Sequence, residues 1–281
     1  MQQTRSRSTN AIHPIPLSAY LLLTFGGAWL TWLPLVVAEY TNLVLPLPPI
    51  VLIVLGTFTP SLAALLLTWR YGGGAELRRL LGQAVAWRVS PIWYGIAIFG
   101  PALVMLLATG VYVLLGGKVP DYVPFGTRWL LVPLNFILVL LIGGPLAEEF
   151  GWRGYVLPAL EARFSPLWAS VILGIIWTAW HLPLFFISTS AQHNLPFGLF
   201  ALLTTALCIL LTWVYHGSGS SLFLVMLFHA AVNTWSGPLM ISPEAAGSIW
   251  PFALVVILTW VVALLVVTRP ERARISSQEK A

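Results

Sequence analysis

The sequence predicts an all-α fold, a polytopic transmembrane helical bundle of about eight spanning helices. Hydrophobic residues make up 58% of the 281 positions and charged residues only 8%, whereas about a quarter of the residues are charged in an ordinary soluble domain. Apolar runs of roughly 20 residues, the length that crosses a bilayer as a helix, recur along the chain. No long polar stretch separates them and no internal repeat is apparent, so residues 1–281 are interpreted as one transmembrane domain.

The predicted spans follow one another with short connections. Pro34 and Pro60 lie inside the first two, which predicts kinked helices whose freed carbonyls are satisfied by neighbouring groups. The spans are Leu17–Val37, Ile50–Trp69, Ile92–Leu115, Trp129 to about Leu146, Leu167–Ile187, Phe197–Tyr215, a segment from Leu222, and Trp250–Val267.

A basic segment between the second and third spans has its apolar residues at roughly helical spacing. This pattern predicts an amphipathic helix on the cytoplasmic membrane surface, with three consecutive glycines, residues 72–74, as its flexible start. The apolar positions are Leu77, Leu80, Leu81, Val85 and Trp87, and the bracketing arginines are Arg70, Arg78, Arg79 and Arg88.

The distribution of positive charge predicts the topology. If eight spans alternate, all but two of the 14 Lys and Arg residues fall on the side of the N-terminus; the exceptions are Lys118 and Arg128. Cytoplasmic connections carry such an excess, so both tails, residues 1–16 and 269–281, are predicted to be cytoplasmic, in an integral protein of the cell (plasma) membrane. This topology also explains the net charge of +5 without a nucleic-acid partner.

Two adjacent carboxylates, Glu148 and Glu149, directly follow the apolar fourth run. Ionisable groups at membrane depth are energetically costly and are functional candidates by default. On a helix the two project about 100° apart, and Glu149 stands four residues before Arg153, a spacing that favours an ion pair. We therefore expect Glu149 to be held in a structural pair while Glu148 faces a cavity and transfers protons. The alternative is that all three charges simply mark the membrane interface.

Two later spans each place polar or aromatic residues four positions apart on one helix face: Trp177 with His181, and His229 with Asn233. Buried histidines need partners, so two of them and a glutamate at similar depth indicate a polar cluster inside the bundle. Cys208 is the only cysteine, which excludes an intrachain disulfide, and it is expected to pack as a small apolar residue.

The ordered motifs Glu-Glu-x-x-x-Arg, aromatic-x-x-x-His and His-x-x-x-Asn, on three spans, resemble the CAAX-protease and bacteriocin-processing (CPBP, or Abi) family of intramembrane endopeptidases. The resemblance covers roughly Gly143–Trp235, within a protease core of about residues 129–236, and a weaker match lies at residues 56–60. Trp177 stands where the family commonly has phenylalanine, a departure expected to alter the shape of the pocket.

The resemblance implies hydrolysis of a peptide bond at a cavity open to the cytoplasm, in a membrane-associated substrate that is prenylated or hydrophobic. Glu148 would correspond to the catalytic glutamate and, with His181, would hold and deprotonate the attacking water. His229 and Asn233 would stabilise the oxyanion.

The resemblance leaves two forms of this chemistry open. Glu148, His181 and His229 are a sufficient ligand set for a catalytic Zn²⁺. However, the chain has no His-Glu-x-x-His helix, and asparagine is an ordinary oxyanion donor but an unusual zinc ligand. Catalysis by glutamate without a metal is therefore favoured, with Zn²⁺ as the alternative.

Two other classes of function use the same residues. A small transporter or proton relay would pass ions through intramembrane Glu and His, although no paired broken helices of the kind found in inverted-repeat transporters are apparent. A non-catalytic membrane scaffold or immunity protein could retain every motif residue for stability. An intramembrane endopeptidase is the preferred interpretation.

Overall fold

The computed structural model describes residues 17–119, 123–239 and 241–268, and within them all regular secondary structure is helical. The two predicted cytoplasmic tails lie outside the described residues. The α-helices are α1 (Leu17–Glu39), α2 (Pro49–Thr57), α3 (Thr59–Ala84), α4 (Pro91–Leu114), α5 (Val132–Ile142), α6 (Pro145–Gly151), α7 (Leu157–Glu161), α8 (Pro166–Trp180), α9 (Phe197–Gly217), α10 (Leu222–Ser236), α11 (Pro243–Ala246) and α12 (Trp250–Val267).

Seven helical stretches of the described chain are long and apolar enough to cross a membrane. The predicted polytopic α-helical bundle is therefore confirmed, and the chain is an integral membrane protein. The seventh predicted span, α10, is a helix of only 15 residues, about 22 Å long at about 1.5 Å per residue. It is shorter than the roughly 30 Å hydrocarbon core of a bilayer.

Helix α10 lies inside the protein. Ten of its residues are buried, and it packs against α4, α5, α6 and α9. Ser221 begins it by accepting a hydrogen bond from the Leu224 N–H at 3.2 Å, a normal N-terminal cap. The histidine of α10, His229, is thereby buried inside the bundle.

The predicted surface helix is the second half of α3. The helix kinks at Gly73, whose φ of 70° favours glycine, and then continues to Ala84. Leu80 is buried, but Leu81 is exposed. The prediction that Val85 and Trp87 belong to this helix is wrong, because α3 ends at Ala84, where the Val85 N–H donates to the carbonyl of Gly82. Both side chains are exposed.

The fourth span contains a break that the sequence analysis mistook for its end. Gly144 has a φ of 118°, and a new helix, α6, begins at Pro145, where the fixed φ of proline suits a first helical position. The apolar helical stretch runs on to Glu161. The prediction that this span ends near Leu146 is therefore wrong, and both glutamates lie within the span on α6.

Close helix contacts hold this region together. A Cβ atom at Gly174 of α8 would lie 2.6 Å from the Cα atom of Thr205 on α9, and one at Gly151 of α6 would lie 2.7 Å from the carbonyl oxygen of Pro60 on α3. The Ser61 hydroxyl donates to the carbonyl of Leu146 at 3.0 Å. Small residues at such crossings are typical of membrane bundles, where packing rather than water exclusion drives association.

Candidate active site

Glu149 forms a buried ionic cluster with Arg153 and His229. Both its side chain and that of Arg153 are fully buried, and Nη1 of Arg153 donates to both carboxylate oxygens at 3.0 Å. The ion pair expected from the i,i+4 spacing is therefore present. Nδ1 of His229 lies 2.7 Å from Oε1 of Glu149, so the same carboxylate also orients this imidazole.

Cys208 takes part in the same cluster. Nη2 of Arg153 donates to its Sγ atom at 3.2 Å. The expectation that Cys208 packs only as a small apolar residue is therefore incomplete. The guanidinium is shared between the carboxylate of Glu149 and this thiol, which belongs to a different helix, α9.

Glu148 has a different environment, although it is the adjacent residue. Its Oε2 atom accepts two indole hydrogen bonds, from Trp177 Nε1 at 2.6 Å and from Trp152 Nε1 at 3.1 Å. Its Oε1 atom lies beside the helix break, 2.7 Å from where a Cβ atom of residue 144 would be. Within the described chain Glu148 forms no ion pair.

A π-helical turn, residues 152–156, follows α6 directly and presents Trp152 and Arg153 to the two carboxylates. Such turns occur frequently at functional sites. Trp152 was missed in the sequence analysis, although its position four residues after Glu148 repeats the spacing that identified Arg153.

The indole of Trp177 lies at the centre of the site. Its ring centroid is 5.5 Å from that of His181 and 5.3 Å from that of His229. The guanidinium of Arg153 lies 5.1 Å from the same centroid. With the hydrogen bond to Glu148, this one side chain contacts four of the other predicted site residues.

His181 lies where α8 ends and a short 3-10 helix, Leu182–Phe186, begins. Its Nδ1 atom is 2.7 Å from the carbonyl oxygen of Trp177. Because a carbonyl only accepts, Nδ1 carries the proton and Nε2 remains available. None of the hydrogen bonds among the described residues joins His181 directly to Glu148.

Asn233 lies on the other side of the helix break. Its Nδ2 atom donates to the carbonyl of Gly143 at 3.2 Å and lies 3.6 Å from the Cβ position of residue 144. Asn233 is exposed, whereas His181 and His229 are buried. An amide donor and Oε1 of Glu148 thus border the same glycine.

The same side chains are candidate metal ligands. Across residues 17–119, 123–239 and 241–268, no three His, Cys, Asp or Glu side chains are arranged to hold a metal ion. Oε2 of Glu148 is occupied by indole donors, and Nδ1 of His229 by Glu149. Among the described residues, these bonds leave Oε1 of Glu148 and the Nε2 atoms of His181 and His229 without a hydrogen-bond partner.

Comparison with known proteins identifies the segment that holds this site. Residues 128–235 match the family described as type II CAAX prenyl endopeptidase, Rce1-like. A CAAX prenyl protease 2 of Methanococcus maripaludis is 33% identical over 141 residues, which cover 46% of this chain and 50% of that relative. The alignment thus spans half the length of the relative.

The matched residues, 128–235, include α5 to α10 almost entirely, and with them every candidate side chain from Glu148 to Asn233. The family resemblance expected from the three motifs is confirmed. Residues 128–235 of this chain are therefore similar to the Rce1-like type II CAAX prenyl endopeptidases.

Proposed function

We propose that this chain is an intramembrane endopeptidase that hydrolyses a peptide bond in a membrane-associated peptide or protein with a prenylated or otherwise hydrophobic end. The observation that supports it most is the difference between the two carboxylates. Glu149 is engaged by Arg153 and His229, whereas the hydrogen bonds that Glu148 accepts from the described residues come from neutral indoles, and its Oε1 lies towards the helix break.

In the proposed reaction, Glu148 acts as a general base. Oε1 takes a proton from a water molecule held by Nε2 of His181, and the water oxygen bonds to the scissile carbonyl carbon. The carbonyl electron pair moves onto its oxygen. When this tetrahedral intermediate collapses, the C–N bond breaks and protonated Glu148 returns the proton to the leaving amine. One water is consumed, and a carboxylate and an amine are released.

His229 and Asn233 are the proposed oxyanion donors. Asn233 supplies Nδ2–H, and His229 supplies Nε2–H as an imidazolium, which the Glu149 carboxylate stabilises from Nδ1. Removing one such donor typically costs on the order of 3 kcal/mol of transition-state stabilisation. Glu149 and Arg153 act as positioning residues, because they set the orientation and charge of the imidazole.

No step of this reaction uses a metal ion.

We also propose that the protein lies in the plasma membrane with both tails in the cytoplasm. The asymmetry of the basic residues supports this topology. Single cysteines near Lys118 and in the tail after residue 268, introduced into a Cys208→Ala background, would label from opposite sides of intact cells.

The test is a cleavage assay with purified protein in liposomes, on matched farnesylated and unlipidated peptides that end in a C-a-a-X sequence. We compare wild type, Glu148→Gln and Glu161→Gln, each with and without a strong chelator. Glu161 is a carboxylate of the same span that contacts His216 instead. We expect Glu148→Gln to lose activity by about 10³-fold or more, Glu161→Gln to match wild type, and the chelator to have no effect.

Two results would overturn parts of the proposal. Loss of wild-type cleavage with the chelator, restored by Zn²⁺, would replace the metal-free chemistry with a metalloprotease. Failure of well-folded wild type to cleave any peptide would remove the endopeptidase assignment and favour a scaffold or a proton relay.

A further inference from the structure

One oxygen of the Glu148 carboxylate accepts hydrogen bonds from two directions. Trp152 approaches from the π-helical turn that follows α6, and Trp177 approaches from α8. Their indole nitrogens lie 3.1 Å and 2.6 Å from the same atom, Oε2. Both tryptophans are buried, at 0% and 3% exposure, so water does not compete for these bonds.

We propose that Trp152 and Trp177 are positioning residues that hold Oε2 of Glu148, and thereby select Oε1 as the oxygen that accepts the proton of the attacking water. The inference rests on the proposed function, which it deepens. The two oxygens of a carboxylate are chemically equivalent until their surroundings distinguish them. Here two donors occupy one oxygen, while the other faces the break at Gly144 and Asn233.

The chemistry of indole suits this task. Its N–H group donates a hydrogen bond but accepts none, and it is neutral. It therefore fixes the carboxylate without providing a counter-ion, whereas the guanidinium on Glu149 provides both. A phenylalanine at position 177 would fill most of the same space but would leave Oε2 with one donor.

The two indoles are themselves held in place by aromatic packing. The ring of Trp152 meets the rings of Tyr20 and Trp180 edge to face, with centroids 5.9 Å and 5.7 Å apart. The ring of Trp177 lies between His181 and His229. Such contacts restrict ring rotation, so the direction of both N–H groups is set before substrate binds.

The chain offers a matched control on the same helix. Trp180 follows Trp177 by three residues and is 1% exposed, but its Nε1 atom has no hydrogen-bond partner among the described residues. Trp177→Phe and Trp180→Phe therefore remove the same atoms from similarly buried sites, and only the first removes a bond to Glu148. Each keeps a phenyl ring, so Trp180→Phe still presents an aromatic ring to Trp152 and His181.

The activity test compares Trp177→Phe, Trp152→Phe and Trp180→Phe with the peptides described above. We expect Trp177→Phe to lower kcat by about 10-fold or more, because a misplaced catalytic group is costly. KM should stay within about twofold, the pattern of a lost transition-state interaction. Trp152→Phe, which loses the longer bond, should lose less, and Trp180→Phe the least. Equal kcat losses in Trp177→Phe and Trp180→Phe would overturn the inference.

A second measurement reads the carboxylate itself and does not depend on cleavage. The infrared difference spectrum between wild type and Glu148→Gln isolates the carboxylate stretching bands of Glu148. These bands should shift in Trp177→Phe and stay in place in Trp180→Phe. Unchanged bands in Trp177→Phe would overturn the inference even if the protein is an active protease, whereas shifted bands without cleavage of any peptide would contradict the proposed function alone.

Discussion

Glu148 and Glu149 are the same residue type on the same short helix, yet their partners differ in kind. Glu149 contacts a guanidinium and an imidazole, both of which can carry positive charge. Glu148 contacts two indoles, which cannot. A carboxylate paired with buried cations becomes part of the framework, whereas one held by neutral donors keeps its charge available for proton transfer. The chemical type of the partner separates the two roles.

The largest effect is expected when each carboxylate is removed in turn. Glu149→Gln leaves the fully buried Arg153 without its counter-ion, and breaking a buried pair costs about 3–5 kcal/mol. We expect a large fall in the unfolding temperature, measured in detergent by tryptophan fluorescence. Glu148→Gln should unfold near the wild-type temperature, because its amide oxygen still accepts from the indoles.

The control for this prediction removes both members of the pair. Replacing a buried ion pair by groups without charge is often close to neutral, so Glu149→Gln combined with Arg153→Met should recover much of the lost stability. Activity should stay low, because His229 no longer has a carboxylate at Nδ1. Equal unfolding temperatures for Glu149→Gln and Glu148→Gln would contradict the division between framework and reactive carboxylate.

An intermediate effect is expected at the helix break, where a substitution can disturb Glu148 without disturbing Glu149. In Gly144→Ala the new Cβ would lie 2.7 Å from Oε1 of Glu148 at a φ of 118°, a strain of about 1–3 kcal/mol. We expect activity to fall with the Glu149 cluster intact. Gly82→Ala, with open space at its Cβ position, is the matched control. Wild-type activity in Gly144→Ala would show that Oε1 is not the reacting oxygen.

The smallest effect on stability is expected at Cys208, which contacts the Glu149 cluster through Arg153. Cys208→Ala removes one acceptor from Arg153, which keeps both bonds to Glu149, so the expected loss is about 1 kcal/mol of stability. Cys208→Ser restores an acceptor and should recover part of it. Thermal unfolding of the three proteins measures the difference. A loss as large as that of Glu149→Gln would make the thiol an essential member of the cluster.

The sequence predicted the features of the site that depend on spacing along one helix. The Glu149–Arg153 pair and the placement of His229 with Asn233 follow from residues four apart. The helical bundle follows from apolar runs of bilayer length. Trp152 was also within reach of the same reasoning, because it stands four residues after Glu148.

The remaining features depend on how helices meet, which spacing does not specify. The bond between His229 and Glu149 joins residues 80 positions apart, and that between Trp177 and Glu148 joins residues 29 apart. The break at Gly144 was also misread. An apolar run that ends in Gly-Gly-Pro fits both a terminus and an interruption, and only packing against α3 and α10 places the glutamates inside the bundle.

The contact between Gly174 and Thr205 limits which substitutions α8 can accept during evolution. A side chain at position 174 would meet the backbone of α9 itself, and no change of rotamer in a neighbour removes a Cα atom. The next residue, Ile175, is 61% exposed and is free to exchange among apolar types. Of these two adjacent positions on α8, the first is therefore restricted to glycine and the second accepts many apolar residues. We expect relatives that retain a histidine at position 181 to vary widely at position 175 while retaining glycine at position 174.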